Sequence, residues 1–262
     1  MAWRAFTVKV EGARLSGERR EGSGTPLVLI HGFGGTRATW DRMIAALPAD
    51  LPLVRYDLRG FGASTQDETV TFRHADDLLA VLDALGLAQA NLCGLSMGGA
   101  VAVRFALEHP GSVARLALVS PALIAWEWSA GWAANFRACV KAARSGDIAL
   151  ARQAWWENPL FDTVREGPPA AAVQAEIAAF PGRQWIIDPQ AREQPEIENL
   201  HRLAVPTLLL VGGRDTADFQ LIADSLTAAA PNLHRVDFAD DGHMLPLERP
   251  TEVAGAIADF LA

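Results

Sequence analysis

Cysteine is scarce: Cys93 and Cys139 are the only two in 262 residues. They are too few and too far apart for a disulfide framework or a zinc-ligand cluster. Cys93 sits inside an apolar run and reads as a small buried residue. Basic clusters are also missing. Beyond Arg19-Arg20 no Lys/Arg patch occurs and the formal net charge is -8, which argues against a phosphate-backbone partner such as nucleic acid. No apolar stretch approaches membrane-spanning length, and Met1-Ala2-Trp3-Arg4-Ala5-Phe6 lacks the apolar core of a signal peptide. The expectation is a cytoplasmic protein with no membrane and no nucleic-acid partner, and with no need for a metal or organic cofactor.

Hydrophobic residues make up 50% of the chain, enough for a large core in one domain or one domain with an insertion. The most informative stretch is Asn91-Leu92-Cys93-Gly94-Leu95-Ser96-Met97-Gly98-Gly99, a short apolar run passing at once into an apolar helical pattern. A serine on a sharp strand-to-helix turn takes a strained backbone. Glycines two residues before and after it let neighbouring segments approach without Cβ clashes. Ser96 is therefore the candidate nucleophile, and the Met97 amide, at a helix N-terminus, a candidate oxyanion donor.

Taken in order, residues 3–20 alternate apolar and polar about a turn at Gly12, as an antiparallel hairpin at a sheet edge does. Leu27-Val28-Leu29-Ile30 is continuously apolar, as a strand covered on both faces requires. It ends in His31-Gly32-Phe33-Gly34-Gly35, followed by a helix predicted from about Thr36 to Leu47. That loop can turn the Phe33 amide towards a neighbouring site as a second oxyanion donor; no Gly-Lys-Ser/Thr follows it, so a nucleotide loop is disfavoured. His31 reads as structural. Leu53 to Asp57 is the next strand, with Asp57 and Arg59 assigned to loop scaffolding. A helix from about Phe72 to Leu85 carries His74, Asp76 and Asp77 in its first turn, where negative charge suits the helix dipole. After the Ser96 strand and a helix to about His109, Val113 to Ser120 forms another strand.

Strict alternation of strands and helices implies a parallel sheet covered on both faces. The pattern breaks after Pro121. Up to about Leu203 only short helical patterns occur, and six of the eight tryptophans fall there: Trp126, Trp128, Trp132, Trp155, Trp156 and Trp185. This reads as a helical cap (121–203) over the carboxyl edge of a sheet domain built from residues 1–120 and 204–262. The six tryptophans are pocket candidates, with one or two expected to line a cavity and the rest to pack cap onto core.

The sheet resumes at Val205 to Val211 and ends in Gly212-Gly213-Arg214-Asp215. A helix from about Phe219 to Ala230, a strand from Leu233 to Phe238, the loop holding Gly242-His243 and a last helix from about Pro250 complete the chain. A serine hydroxyl needs a base, and an imidazole base needs a carboxylate to fix its tautomer. Ser96, Asp215 and His243 each follow a strand, in the chain order expected of such a triad. Asp218, three residues beyond Asp215, is the alternative carboxylate.

The stretches His31 to Gly35, Tyr56-Asp57-Leu58-Arg59-Gly60-Phe61-Gly62-Ala63-Ser64, Gly94 to Gly99, Gly213-Arg214-Asp215 and Gly242-His243 resemble the α/β-hydrolase superfamily. Through the Gly-Gly loop followed by Trp40 and the Arg55 to Gly60 stretch, the chain looks closest to small carboxylesterases and 3-oxoadipate enol-lactonases. The resemblance implies a mostly parallel eight-stranded sheet with helices on both faces and an all-helical cap after the sixth strand. It implies Ser96 as nucleophile, His243 as base, Asp215 as orienting acid, and the Phe33 and Met97 amides as oxyanion hole. Serine at position 96 argues against haloalkane dehalogenases and epoxide hydrolases of this fold, which use an aspartate nucleophile. The expected reaction is hydrolysis of a small, largely apolar ester or lactone. Carbon–carbon hydrolysis of a diketone, perhydrolysis, and a slow-turnover receptor are the alternatives that the same residues allow.

Overall fold

The structure is a computed structural model that describes residues 2–262. Trp3–Val10 (β1) and Ala13–Arg20 (β2) form the expected hairpin, turning at Gly12 with φ +68°. The following strands are Leu27–Ile30 (β3), Leu53–Tyr56 (β4), Ala90–Leu95 (β5), Val113–Val119 (β6), Thr207–Gly212 (β7) and Leu233–Phe238 (β8). They build one eight-stranded sheet in the order β1-β2-β4-β3-β5-β6-β7-β8. β1 and β2 pair antiparallel, β2 pairs antiparallel with β4, and all remaining neighbours are parallel. β3, β5 and β7 are buried at every position, which is why they read as unbroken apolar runs rather than alternating ones.

After β3 the chain steps to one side to make β4, then returns to the other side of β3 for β5. The strand order thus reverses at the β3/β5 boundary, and a crevice opens outside the carboxyl ends of those strands. His31 to Gly35 leaves β3 there, and Ser96 leaves β5 there; Ile30 stands opposite Gly94 in register.

The helices in chain order begin with Asp41–Ile44 (α1), His74–Ala84 (α2) and Met97–Glu108 (α3). Between β6 and β7 lie Ala130–Arg144 (α4), Ile148–Trp156 (α5), Asp162–Glu166 (α6), Ala170–Ala179 (α7) and Arg183–Ile186 (α8), with 3-10 turns at Pro159–Phe161 and Glu196–Arg202. Ala217–Ala229 (α9), Leu245–Glu248 (α10) and Pro250–Leu261 (α11) follow. None of these helices is long and apolar enough to cross a membrane.

Two expectations need correction. The helix read over Thr36 to Leu47 is a 3-10 turn, Arg37–Trp40, followed by the single turn α1. Thr36 and Thr39 point their hydroxyls at a carboxylate on α7 instead of continuing an amphipathic face, and the chain turns away before Pro48. The helix dipole also does not account for Asp77. Its side chain is buried and forked onto the Arg59 guanidinium, with Oδ2 accepting from Nε at 2.9 Å and Oδ1 from the terminal nitrogen at 2.6 Å. Asp57 scaffolds its loop as expected, accepting from the Arg37 and Ala63 amides at 2.8 and 2.9 Å and pairing with Arg37.

Candidate active site

Ser96 closes β5 with φ 54° and ψ -118°, a conformation side chains other than glycine rarely occupy. Its backbone is pinned on both sides. The amide donates to Val119 O at 3.1 Å, and the carbonyl accepts from Gly99, Ala100 and Ala122. The flanking glycines are sterically obligatory: a Cβ on Gly94 would lie 2.3 Å from Gly98 O, and one on Gly98 would lie 2.1 Å from Ile30 O. The His31 loop abuts the serine directly, since a Cβ on Gly32 would approach the Ser96 Cβ to 3.2 Å.

Asp215 follows β7 and His243 follows β8, adjacent parallel strands whose loops emerge at one edge. His243 Nδ1 lies 2.7 Å from Asp215 Oδ2, and each side chain is only about 1% exposed. The Nδ1 proton is thereby committed to the carboxylate, which leaves Nε2 as the basic nitrogen. Nε2 is buried and has no hydrogen-bond partner among the described residues, while Ser96 and His243 line one cavity. The second Asp215 oxygen accepts from the Thr216 amide at 2.7 Å. Asp218 is committed elsewhere: it takes the Ser129 amide at 2.9 Å and hydroxyl at 2.7 Å.

The histidine loop has a clamp that the sequence analysis missed. Glu248, at the end of α10, accepts from the Gly242 amide with one oxygen and from the Met244 amide with the other, both at 2.9 Å. The two amides flank His243, so one carboxylate fixes the backbone that carries the imidazole. The Phe219 ring packs against that imidazole at a centroid distance of 4.3 Å. An acid five residues past a loop histidine was the only trace of this clamp in the sequence.

The Phe33 and Met97 amides donate to no protein acceptor among the described residues. Met97 begins α3, where the helix N-terminus adds partial positive charge. The other histidines near the sheet edge are occupied or inert. His31 Nδ1 donates to Gly32 O at 2.8 Å and Nε2 accepts from the Leu58 amide at 2.9 Å, as a structural role requires. Burial pushes His74 down to about 3, so it stays neutral.

The cavity over Ser96 has a volume of about 520 Å³. Of the six tryptophan candidates, Trp128, Trp132 and Trp155 line it, joined by Phe136, Phe161 and Phe219. Trp126, Trp156 and Trp185 do not. Trp185 is fully buried against Phe180 and Phe33, Trp156 packs on Phe161 and under the Arg165 guanidinium, and Trp126 is half-buried and not part of the cavity lining. The polar lining beyond Ser96 and His243 includes Thr39, Arg137, Glu176 and Gln190. No grouping of His, Cys, Asp and Glu among the described residues could hold a metal ion.

Residues 25–250 match the family model described as the alpha/beta hydrolase fold. The 3-oxoadipate enol-lactonase 1 of Acinetobacter baylyi is 24% identical over 90% of this chain and 88% of its own. A Caulobacter vibrioides protein assigned as the carbamate hydrolase RutD is 40% identical over 89% of this chain and 80% of its own. Among solved structures, a thermophilic esterase from Thermogutta terrifontis superposes with a TM-score of 0.82 at 26% identity, covering 98% of both chains. An esterase from Rhodococcus sp. superposes with a TM-score of 0.80 at 27% identity, covering 100% of this chain and 98% of the other. The matched family model spans strands β3 to β8, the serine turn and the histidine loop, and the chain belongs to the α/β-hydrolase family.

Proposed function

We propose that the protein is a serine hydrolase that cleaves a small, largely apolar carboxylic ester or lactone through an acyl-enzyme. The carrying observation is the buried His243–Asp215 pair at 2.7 Å, whose unpartnered Nε2 shares a cavity with a serine on a strained turn. In this reading His243 Nε2 takes the Ser96 proton as Oγ attacks the carbonyl carbon. The Phe33 and Met97 amides receive the oxyanion, and the imidazolium returns the proton to the leaving alcohol. Water, deprotonated by the same nitrogen, then releases the acid and regenerates Ser96. The residues 121–203 act as a cap whose aromatic face excludes water from the 1–120 and 204–262 core. The esterase and enol-lactonase names among the relatives support the substrate class.

Arg137 and Gln190 at the cavity favour one second reading, carbon–carbon hydrolysis of a diketone, which needs a polar group for the second carbonyl. Proton release in a pH-stat over esters, lactones and diketones, run on wild type and Ser96→Ala, separates the two. Turnover of esters or lactones that Ser96→Ala loses by a factor of about a thousand or more supports the proposal. Diketone turnover alone favours the second reading. Turnover that survives in Ser96→Ala refutes both.

A further inference from the structure

Glu176 projects from α7, in the helical segment, and its Oε1 accepts three hydrogen bonds from the core. The donors are the Thr36 amide at 2.8 Å, the Thr36 hydroxyl at 3.0 Å and the Thr39 hydroxyl at 2.9 Å. These bonds join residues about 140 positions apart in sequence, and they land on the first residues after the glycine loop that carries the Phe33 amide. The loop itself is a tight turn: Gly35 N donates to Gly32 O at 3.2 Å, with Gly34 at φ +76°. Phe33 occupies the second position of that turn, so the direction of its amide follows from where the turn's end is held.

The helical segment grips this turn at a second point. The Phe33 ring packs against Phe136, Trp155, Phe180 and Trp185, all from that segment, at centroid distances of 5.4–6.3 Å. A Cβ on Gly34 would lie 3.4 Å from the Trp155 indole nitrogen. Burial raises the Glu176 carboxyl above the usual carboxylate range, and its three donors oppose that rise. The three bonds all fall on Oε1.

We propose that Glu176 is a positioning residue that ties α7 to the Phe33 loop, so that docking of the cap and alignment of the Phe33 amide that donates to the oxyanion are one event. The inference rests on the serine-hydrolase reading, because only that reading gives the Phe33 amide a task. The cap then does more than enclose substrate. It completes the electrostatic part of the site.

The test compares wild type, Glu176→Gln, Glu176→Ala and Thr39→Val. Active sites are counted by labelling Ser96 with a fluorophosphonate, and kcat and KM are measured on p-nitrophenyl butyrate. Affinity for an aryl trifluoromethyl ketone, whose adduct places an oxyanion in the hole, gives a second readout. Removing a whole oxyanion donor costs roughly 100- to 1000-fold, so a misaligned donor should cost Glu176→Ala roughly 10- to 100-fold in kcat per labelled site. Trifluoromethyl ketone affinity falls by a similar factor while KM changes little. Thr39→Val loses less, and Glu176→Gln, whose amide oxygen can accept the same donors, recovers most of the rate. Wild-type kcat and ketone affinity per labelled site in both Glu176→Ala and Thr39→Val would overturn the inference alone. Absence of Ser96 labelling in wild type would instead remove the serine-hydrolase reading, and this inference with it.

Discussion

A methyl group added at Gly98 would sit 2.1 Å from the carbonyl oxygen of Ile30. The first turn of α3 therefore rests on the end of β3 with no room between the two backbones, and this contact holds the Ser96 turn against the glycine loop. Neither partner can rotate away, since both are backbone. Gly98→Ala should cost about 3 kcal/mol or more, at the upper end of overpacking effects. Urea unfolding checks the loss. Whatever folds should label poorly with a fluorophosphonate; a variant with wild-type stability and labelling would contradict the packing argument.

The carboxylate assignment is testable by a pair of substitutions. Asp215→Asn leaves His243 Nδ1 without an ionised acceptor and favours the wrong tautomer, so kcat should fall by roughly 10⁴. Asp218→Asn should keep kcat within about twofold, because Asp218 serves Ser129 at the start of α4 and costs only stability. Steady-state kinetics on one ester decides it. If the Asp218 variant were the inactive one, the orienting acid would have to be reassigned.

Much of the site was legible because each part is a local demand. A strained turn needs Gly94 and Gly98, a buried strand needs an apolar run, and a base needs a carboxylate at another strand's end; all three leave marks in one stretch of chain. Glu248 and Glu176 left little or none, since their meaning lies in which amides and hydroxyls they meet after folding. The tryptophans fall between. Composition placed six of them in the helical segment, but only packing could sort Trp128, Trp132 and Trp155 from Trp126, Trp156 and Trp185. The Thr36 to Leu47 pattern misled for the same reason, as its threonines answer to a carboxylate on α7.

Glu248 makes a separable prediction. Its two oxygens hold the amides on either side of His243, so Glu248→Ala frees both and lets the imidazole wander. Stability should drop by roughly 1.5–3 kcal/mol, and kcat by about 10-fold or more, with KM nearly constant. Glu248→Gln keeps one acceptor and should fall between. Thermal melts beside kcat and KM check both effects; a loss confined to KM would argue that the loop touches substrate rather than orienting the base.

Stability should also depend on pH through Glu196, which does not line the cavity. Arg73 and Arg104 stand among three glutamates: Arg73 pairs with Glu108 and with Glu193 at 2.7 Å, and Arg104 lies 3.8 Å from Glu108, 3.4 Å from Glu193 and 3.5 Å from Glu196. Asp76, exposed, adds a further carboxylate at Arg73. Set against Glu108, Glu193 and Glu196, the two arginines leave the cluster one positive charge short, and of its members only Arg104 and Glu196 are buried. Glu196 is its most enclosed member, with 0% exposure, and burial pushes its carboxyl up to about 8 despite the Ile124 amide it accepts at 2.6 Å. An unfolded glutamate ionises near 4.5, so between about 4.5 and about 8 folding takes up a proton at Glu196. The sign follows: the folded state binds more protons in that window, and stability is lost as pH rises through it, at a slope of order 1 kcal/mol per pH unit. Glu196→Gln keeps an acceptor for the Ile124 amide and needs no proton. Its melting temperature should therefore fall less steeply than that of wild type between pH 5 and pH 8, and the two curves should cross or converge towards low pH. Parallel curves over that range would mean that Glu196 stays ionised and that the two arginines are shared among all three glutamates.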